Sequence, residues 1–527
     1  MMQTEPRSGS FAKCCVLVMM ALCLLPGWAA AQVPVSTWHN DNLRDGQNTH
    51  ETILTLSNVN SATFGKLFAY SVDGQLNAEP LYIPNVSIPG QGKHNVVYVA
   101  TQNDSVYAFD ADGLVTTPLW QTSLLIGAES PAYCTVVGLV CTALQLPLGI
   151  TSTPVIDTKG KTIYVLALTK QTDGTYIDRF HALDITTGAE KFGGPVVIQA
   201  SVPGTGAGSA GGMITFDASH ELQRPGLLLL NGAVYMAWGG LASQDPWHGW
   251  VMAYDATTLA QTAVFNVSAD GTRAGIWQSG GGLSADSSGN IFLQTGDGTF
   301  DVDAGGVDYG DTFLKLNGTL GVLDYFTPYN QLILEEQDLD VGGGAGLILP
   351  QQTGTYPHEI VGADKQGNIY LVDRDNMGGY SSSQNNIIQT LTGSAGGYIN
   401  SPAYWNGAVY LGGVNDFLSR YTLKKGLLST TPVSQSPTTF GQGSTPSVSA
   451  NGTTQGIVWA IDVGTSLRAP CVLHAYNALN LAQELYNSTQ AGGRDKAGNG
   501  VSFIVPTIAN GKVYVGTANQ LDVYGLL

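Results

Sequence analysis

The densest group of chemistry-bearing side chains is the stretch TGDGTFDVDAGGVDYGDTF, residues 295–313. Asp297, Asp301, Asp303, Asp308 and Asp311 fall within fifteen residues, with four glycines between the first and the last. Calcium takes six to eight oxygens from flexible loops, and Asp/Gly spacing of this kind supplies them. These five carboxylates are therefore the metal candidates, with calcium the metal they suit. The pattern is not an EF-hand: Gly298 comes too early and no Glu closes the loop. The plainer role is a solvated hairpin tip that uses Asp and Gly as turn formers. A second group is SQDPWHGW, residues 243–250, where Trp247, His248 and Trp250 lie between two strands and offer stacking and hydrogen bonding to a sugar, a quinone or a peptide. In GIWQSGGG, Trp277 precedes an innermost strand, as a stacking platform over the axis or as a packing residue between repeats. VDRDNMGG sets Arg374, Asp375 and Asn376 in a polar turn, with a buried ion pair as the structural alternative. EEQDLDVGGG adds Glu335, Glu336, Asp338 and Asp340 ahead of another inner strand, as a channel-mouth group or a solvated acidic loop. His39, Asp41 and Arg44 are placed to tie the N-terminal segment across the molecule. The ligand-binding candidates are thus Trp247, His248, Trp277, Arg374 and Asn376. No GxSxG elbow, HExxH, P-loop, CxxC or CxxCH occurs, so no catalytic residue is assigned and a zinc hydrolase is disfavoured.

The elements that position these groups recur along the chain. One unit repeats: a small-residue or Pro strand, a strand carrying an aromatic, a polar turn, and a strand ending near AxD. Its clearest copy is NAEPLYIP, NVVYVAT, SVYAFDA and PLWQTSL, residues 77–124. Apolar and polar residues alternate within the runs, which is the signal of a half-buried strand. The second-strand markers are Tyr98, Tyr164, Tyr235, Phe292, Val361, Tyr410, Trp459 and Tyr514, about 59 residues apart on average. Four strands and their loops fill that period. The expected fold is an all-β, eight-bladed propeller of four-stranded antiparallel blades. The last copy ends after three strands, and a spare strand, GKLFAYSV at 65–72, precedes the first. Pairing 65–72 with 521–526 would close the ring. A two-sheet sandwich is the alternative, but its strands would not recur in fours.

Residues 1–31 read as a signal peptide: Arg7 and Lys13, an apolar run from Val16 to Leu25, and Ala29-Ala30-Ala31 before Gln32. The run is too short to span a bilayer and no other stretch is long enough, so a soluble periplasmic or extracellular protein is expected. The division that follows is 1–31 signal peptide, 32–64 a segment packing on the propeller, and 65–527 a single propeller domain. Gly is 67 of 527 residues and only 12% are charged, a mix suited to short strands and Gly-rich turns rather than disorder. The net charge is −18, about −19 without the leader, which disfavours nucleic acid and anionic membranes as partners. Export makes a Cys134–Cys141 disulfide the expectation, with Cys471 a buried free thiol.

VYVATQNDSVYAFDA and FHALDITTG resemble the repeat core of the pyrroloquinoline-quinone (PQQ)-like propeller proteins, a superfamily that includes the quinoprotein alcohol dehydrogenases. The segment WHNDNLRDGQNTHETILTLSNVNSATFGKLF is similar to the N-terminal part of uncharacterised secreted bacterial members. The resemblance covers roughly residues 35–527 and implies a propeller with a cofactor-sized axial funnel. It also implies PQQ and calcium as cofactors for the enzymatic branch, whose members carry a vicinal Cys-Cys pair. The only adjacent pair here, Cys14-Cys15, lies in the leader. The reading adopted is a non-catalytic module, expected to be a monomer, that binds a small molecule, glycan or protein and does without PQQ. The alternatives are a PQQ- and calcium-dependent alcohol or sugar dehydrogenase, and a carbohydrate-active lyase or hydrolase using carboxylates at the channel mouth.

Overall fold

The computed structural model describes residues 1–4, 32–133, 147–241, 245–465 and 469–527. The expected Cys134–Cys141 bridge and the expected cleavage site at Ala29-Ala30-Ala31 lie outside the described residues. Eight antiparallel sheets follow one another along the chain. Blade 1 spans 81–123, blade 2 155–197, blade 3 228–266, blade 4 284–326, blade 5 347–391, blade 6 403–440 and blade 7 447–487. Blade 8 has Thr507–Ala509, Lys512–Gly516 and Gln520–Leu526, and takes its outer strand, Phe64–Ser71, from the other end of the chain. Gly65 pairs with Gly525 and Tyr70 with Leu521, antiparallel, so the ring closes as the spare strand requires.

The recurring second-strand aromatic acts as a latch between neighbouring blades. The hydroxyl of Tyr98 donates to Ile185 O of blade 2 at 2.9 Å, and that of Tyr164 to Ala256 O of blade 3 at 2.6 Å. Tyr235 reaches Gly318 O of blade 4 at 2.8 Å, and Tyr410 reaches Ala478 O of blade 7 at 2.9 Å. Tyr514 of blade 8 donates to Ala111 O of blade 1 at 3.2 Å. A buried phenol needs a partner for its O–H, and the turn of the next blade supplies a carbonyl.

The N-terminal segment enters the ring rather than lying across it. Each innermost strand turns one edge to the axis, and that edge carries unpaired N–H and C=O groups. Residues 35–51 run past these edges in blade order. Val35 and Tyr82 of blade 1 exchange backbone bonds of 2.8 and 2.9 Å, and Ser36 O accepts from Ile156 N of blade 2 at 2.7 Å. Asn42 Nδ2 donates to Leu229 O of blade 3 at 3.0 Å. Asn42 O, Leu43 O and Asp45 O accept from Ala285 of blade 4, Ile348 of blade 5 and Tyr404 of blade 6 at 2.7, 3.0 and 2.8 Å. Gln47 and Asn48 pair in parallel with Val448 and Ser449 of blade 7. Asn48 Nδ2 then donates to Ile508 O of blade 8 at 3.0 Å. The segment is an axial plug touching all eight blades.

Arg44 is the anchor of the plug and is 1% exposed. It donates to Leu283 O at 2.8 Å, Thr37 Oγ1 at 2.7 Å, Trp38 O at 2.8 Å and Leu227 O at 3.3 Å. The His39 ring takes part in hydrogen bonds with Arg44 O and Pro446 O, and burial pushes its pKa down to about 4. Gly46, with φ +66°, packs against that ring where any side chain would collide with it.

Candidate functional site

In every blade the connections after the first and third strands lie at one end, and those after the second and fourth lie at the other. The second set forms the upper face, which holds the loops leading into each innermost strand. Two polar groups there stand out.

The first is an acidic pocket between blades 4 and 5. Oxygens of Asp297, Asp338 and Asp340 lie within 4.8 Å of one another. Asp297 follows the second strand of blade 4, and Asp338 and Asp340 lie in the loop that leads into blade 5. The ammonium of Lys365, at the central turn of blade 5, sits 2.7 Å from Asp340 and pairs with Asp338. Burial, with Asp340 next, raises the Asp297 pKa to about 8. Asp311 is fully buried; one oxygen accepts from Gln331 Nε2 at 3.1 Å and the other, Oδ1, has no partner. Burial and the charges of Asp340 and Asp297 hold its pKa well above the usual carboxylate range. Burial works against the Lys365 charge, but Asp340 and Asp338 outweigh it and raise its pKa. A Cβ on Gly296 would run into both the Asp340 carboxylate and the Trp277 ring, so Trp277 and the pocket meet there.

The second group surrounds the upper end of the axis, above the plug. Trp38 is buried against Ala345 of blade 5's entry loop and Val505 of blade 8's. Glu79 accepts from His39 N at 2.7 Å and from Thr507 Oγ1 at 3.1 Å; burial raises its pKa to about 8. Arg224, in the loop entering blade 3, is 3% exposed and crosses to blade 8, where its guanidinium lies 4.9 Å from the Phe503 ring centre. No ion pair among the described residues includes it, and its Nη2 has no partner. Burial alone lowers its pKa to about 9, so it stays charged at neutral pH.

The residues singled out from sequence separate on this frame. Of the five metal candidates, Asp297 and Asp311 border the acidic pocket. Asp301 and Asp308 instead fasten loops: Asp301 Oδ1 accepts from Asp308 N at 2.9 Å, and Asp308 Oδ1 from Asp270 N at 3.1 Å. Asp303 is exposed on the 3-10 turn Val302–Ala304. The carboxylates that complete the pocket, Asp338 and Asp340, come from the EEQDLDVGGG stretch some forty residues on. Trp247 is buried and meets Trp277 edge-on at 5.7 Å. His248 is 4% exposed, and both ring nitrogens are engaged, Nδ1 with Ser268 and Nε2 with Ala207 O at 2.9 Å. Arg374 and Asn376 follow the third strand of blade 5 and so lie at the opposite end from the pocket. Arg374 donates to Asp286 Oδ2 at 2.9 Å and lies over Phe292 at 5.5 Å. It thereby bridges blades 5 and 4 where Phe292, lacking a hydroxyl, cannot make the tyrosine latch. Asn376 is exposed in that same turn. Arg224 was missed because a lone Arg before Pro-Gly carries no motif; its significance lies in what does not surround it.

No family model matches the chain, and no curated protein matches it. Solved structures do. The quinohemoprotein alcohol dehydrogenase from Comamonas testosteroni is 14% identical, with a TM-score of 0.59 over 94% of this chain and 81% of that one. A quinohemoprotein alcohol dehydrogenase from Pseudomonas putida HK5 is 12% identical, with a TM-score of 0.59 over 94% and 80%. A europium-containing methanol dehydrogenase is 12% identical, with a TM-score of 0.58 over 93% and 98%. At such identities the likeness is one of fold. By that fold, eight blades closed by an N-terminal strand, the chain is an eight-bladed β-propeller similar in architecture to these alcohol and methanol dehydrogenases.

Proposed function

We propose that the protein is an exported binding propeller that takes a small anionic molecule at the upper end of its axis. The observation that supports this is Arg224, a buried guanidinium with no counter-charge among the described residues and an unpartnered Nη2. Burying a charge without a partner is costly, and a carboxylate or phosphate is the group a guanidinium accepts best. The plug supports the reading too: it floors the site with Trp38 and leaves binding to the loops above. Titration of a panel of small carboxylates against the mature protein tests it. A binder at a hundredfold excess over its Kd stabilises the fold by about 2.7 kcal/mol, visible as a raised melting temperature. Arg224→Met removes that rise. Equal binding by a folded Arg224→Met protein would refute the reading.

A second reading, a metal-assisted quinoprotein dehydrogenase, is favoured by the acidic pocket. Asp297, Asp338, Asp340 and the free Asp311 Oδ1 are hard oxygen donors of the kind calcium and the larger trivalent cations take. They would hold such an ion, and the ion would supply Lewis-acid polarisation of an alcohol oxygen. Lys365 already places one positive charge in that pocket, which favours the binding reading. Isothermal titration with calcium, then lanthanum, separates the two. Micromolar ion binding lost in Asp340→Asn, together with quinone-dependent dye reduction on alcohols, would promote the dehydrogenase.

A further inference from the structure

We propose that the anion taken at the axis is a small polyhydroxy carboxylic acid, a sugar acid in chemical class, whose carboxylate meets Arg224 and whose hydroxyls meet Asn77 and Ser152. The inference rests on the anion-binding reading above and specifies its ligand. Besides Glu221 Oε2 and Gln223 Oε1, three polar groups on the entry loops of blades 1, 2 and 3 are buried with no partner among the described residues: Asn77 Oδ1, Ser152 Oγ and Arg224 Nη2. The three residues are 5%, 1% and 3% exposed.

Their loops abut one another. Glu79 N, two residues past Asn77, donates to Thr153 Oγ1 at 2.9 Å. Thr151 Oγ1 donates to Gln223 O at 2.5 Å, so Ser152 stands between the loops that carry Asn77 and Arg224. The outer two converge again on one dipeptide of blade 8: Asn77 Nδ2 donates to Ser502 O at 3.3 Å, and Arg224 lies over Phe503. Native interiors leave few buried polar atoms unbonded, and three on adjoining loops call for a group that bonds them together.

The atoms choose its chemistry. Arg224 only donates, so it takes an ionised oxygen acid. Asn77 Oδ1 only accepts, because the amide's nitrogen is committed to Ser502, so it takes an O–H or N–H. Ser152 serves either way. A plain fatty carboxylate would satisfy Arg224 and leave Asn77 unmet. An amino acid would bring an ammonium to loops whose acids burial holds toward the neutral form: Glu79 is lifted to about 8 and Glu221 well above the usual carboxylate range. A hydroxyl meets the neutral amide oxygen without a charge to balance. A carboxylate beside hydroxyls is the ligand that satisfies all three.

Calorimetric titration of the mature protein with D-gluconate, D-glucuronate and hexanoate tests this. The expected result is binding of one or both sugar acids at least tenfold tighter than hexanoate. Asn77→Leu should reduce that preference below threefold while hexanoate affinity stays as it was, and Ser152→Ala should weaken the sugar acid alone. If hexanoate binds as tightly as both sugar acids, the hydroxy-acid assignment is overturned and the anion reading stands. If no carboxylate binds to protein shown by circular dichroism to be folded, both fall.

Discussion

Arg374 and Arg224 show how little a residue type says without its surroundings. Both are arginines in loops and both are buried. Arg374 has an anion, Asp286, and an aromatic face, Phe292, and with them it joins two blades. Arg224 lies over the face of Phe503 and, among the described residues, is in no ion pair. Losing a charge-assisted hydrogen bond and a cation–π contact costs about 2–3 kcal/mol. Arg374→Met is therefore expected to lower the melting temperature without changing ligand affinity, whereas Arg224→Met abolishes affinity. A drop in affinity at Arg374 with unchanged stability would assign it to the site instead. Cys471 belongs at this scale as well: it is a buried free thiol whose pKa burial raises to about 12, inert rather than reactive.

Among the elements, the plug has the most to answer for. Its backbone and side chains bond to the innermost strands of all eight blades, so it supplies the inner edge that a ring of blades otherwise leaves open. Arg44 holds its turn together by donating to carbonyls of the plug itself and of blades 3 and 4. Burial lowers the Arg44 pKa to about 10, with Asp41 and Glu79 opposing that shift, so it remains charged. Replacing it by Met strands several carbonyls and leaves half-buried Asp41 without the nearby positive charge. The expected cost is about 3–5 kcal/mol, read as a lower denaturation midpoint. A loss below about 1 kcal/mol would mean that the plug contributes little to the fold. At the level of the inner strands the plug fills the axis from within.

For the whole molecule, buried acids set the pH dependence. Burial lifts Asp45 to about 7 and Glu79, Asp178 and Asp297 each to about 8, against about 4 in an unfolded chain. Between those values the native state holds protons that the unfolded state has released. Their contribution to stability is therefore complete below about pH 4 and is lost as pH rises to about 8. His39 acts in the opposite sense. Its pKa is lowered to about 4, so its contribution is present above about pH 6.5 and is lost as pH falls toward 4. The four acids outnumber the one histidine, so the melting temperature should fall as pH rises from about 5 and stand at least about 4 °C lower at pH 9, measured at constant ionic strength. A higher value at pH 9 than at pH 6 would contradict these assignments.

The sequence by itself determined the blades, their number and the closing strand. Those features are written in local alternation and in a period of about 59 residues, and each Tyr marker needs only the turn of the next copy. Blade 6's outer strand, Ser434–Phe440, was harder to see because SQSPTTF is polar and carries a proline, as an edge strand tolerates. The sequence also marked Asp297, Asp311, Asp338 and Asp340 as acidic stretches, but not that two stretches share one pocket with Lys365. That meeting depends on how blade 4 packs beside blade 5. Only the tertiary structure decided that residues 35–51 thread the axis, because hydrogen bonds to eight strand edges leave no periodic mark in a seventeen-residue segment. It alone decided as well that Arg374 is a latch and Arg224 an unpaired charge, since a guanidinium's role is fixed by the groups that distant parts of the chain bring to it.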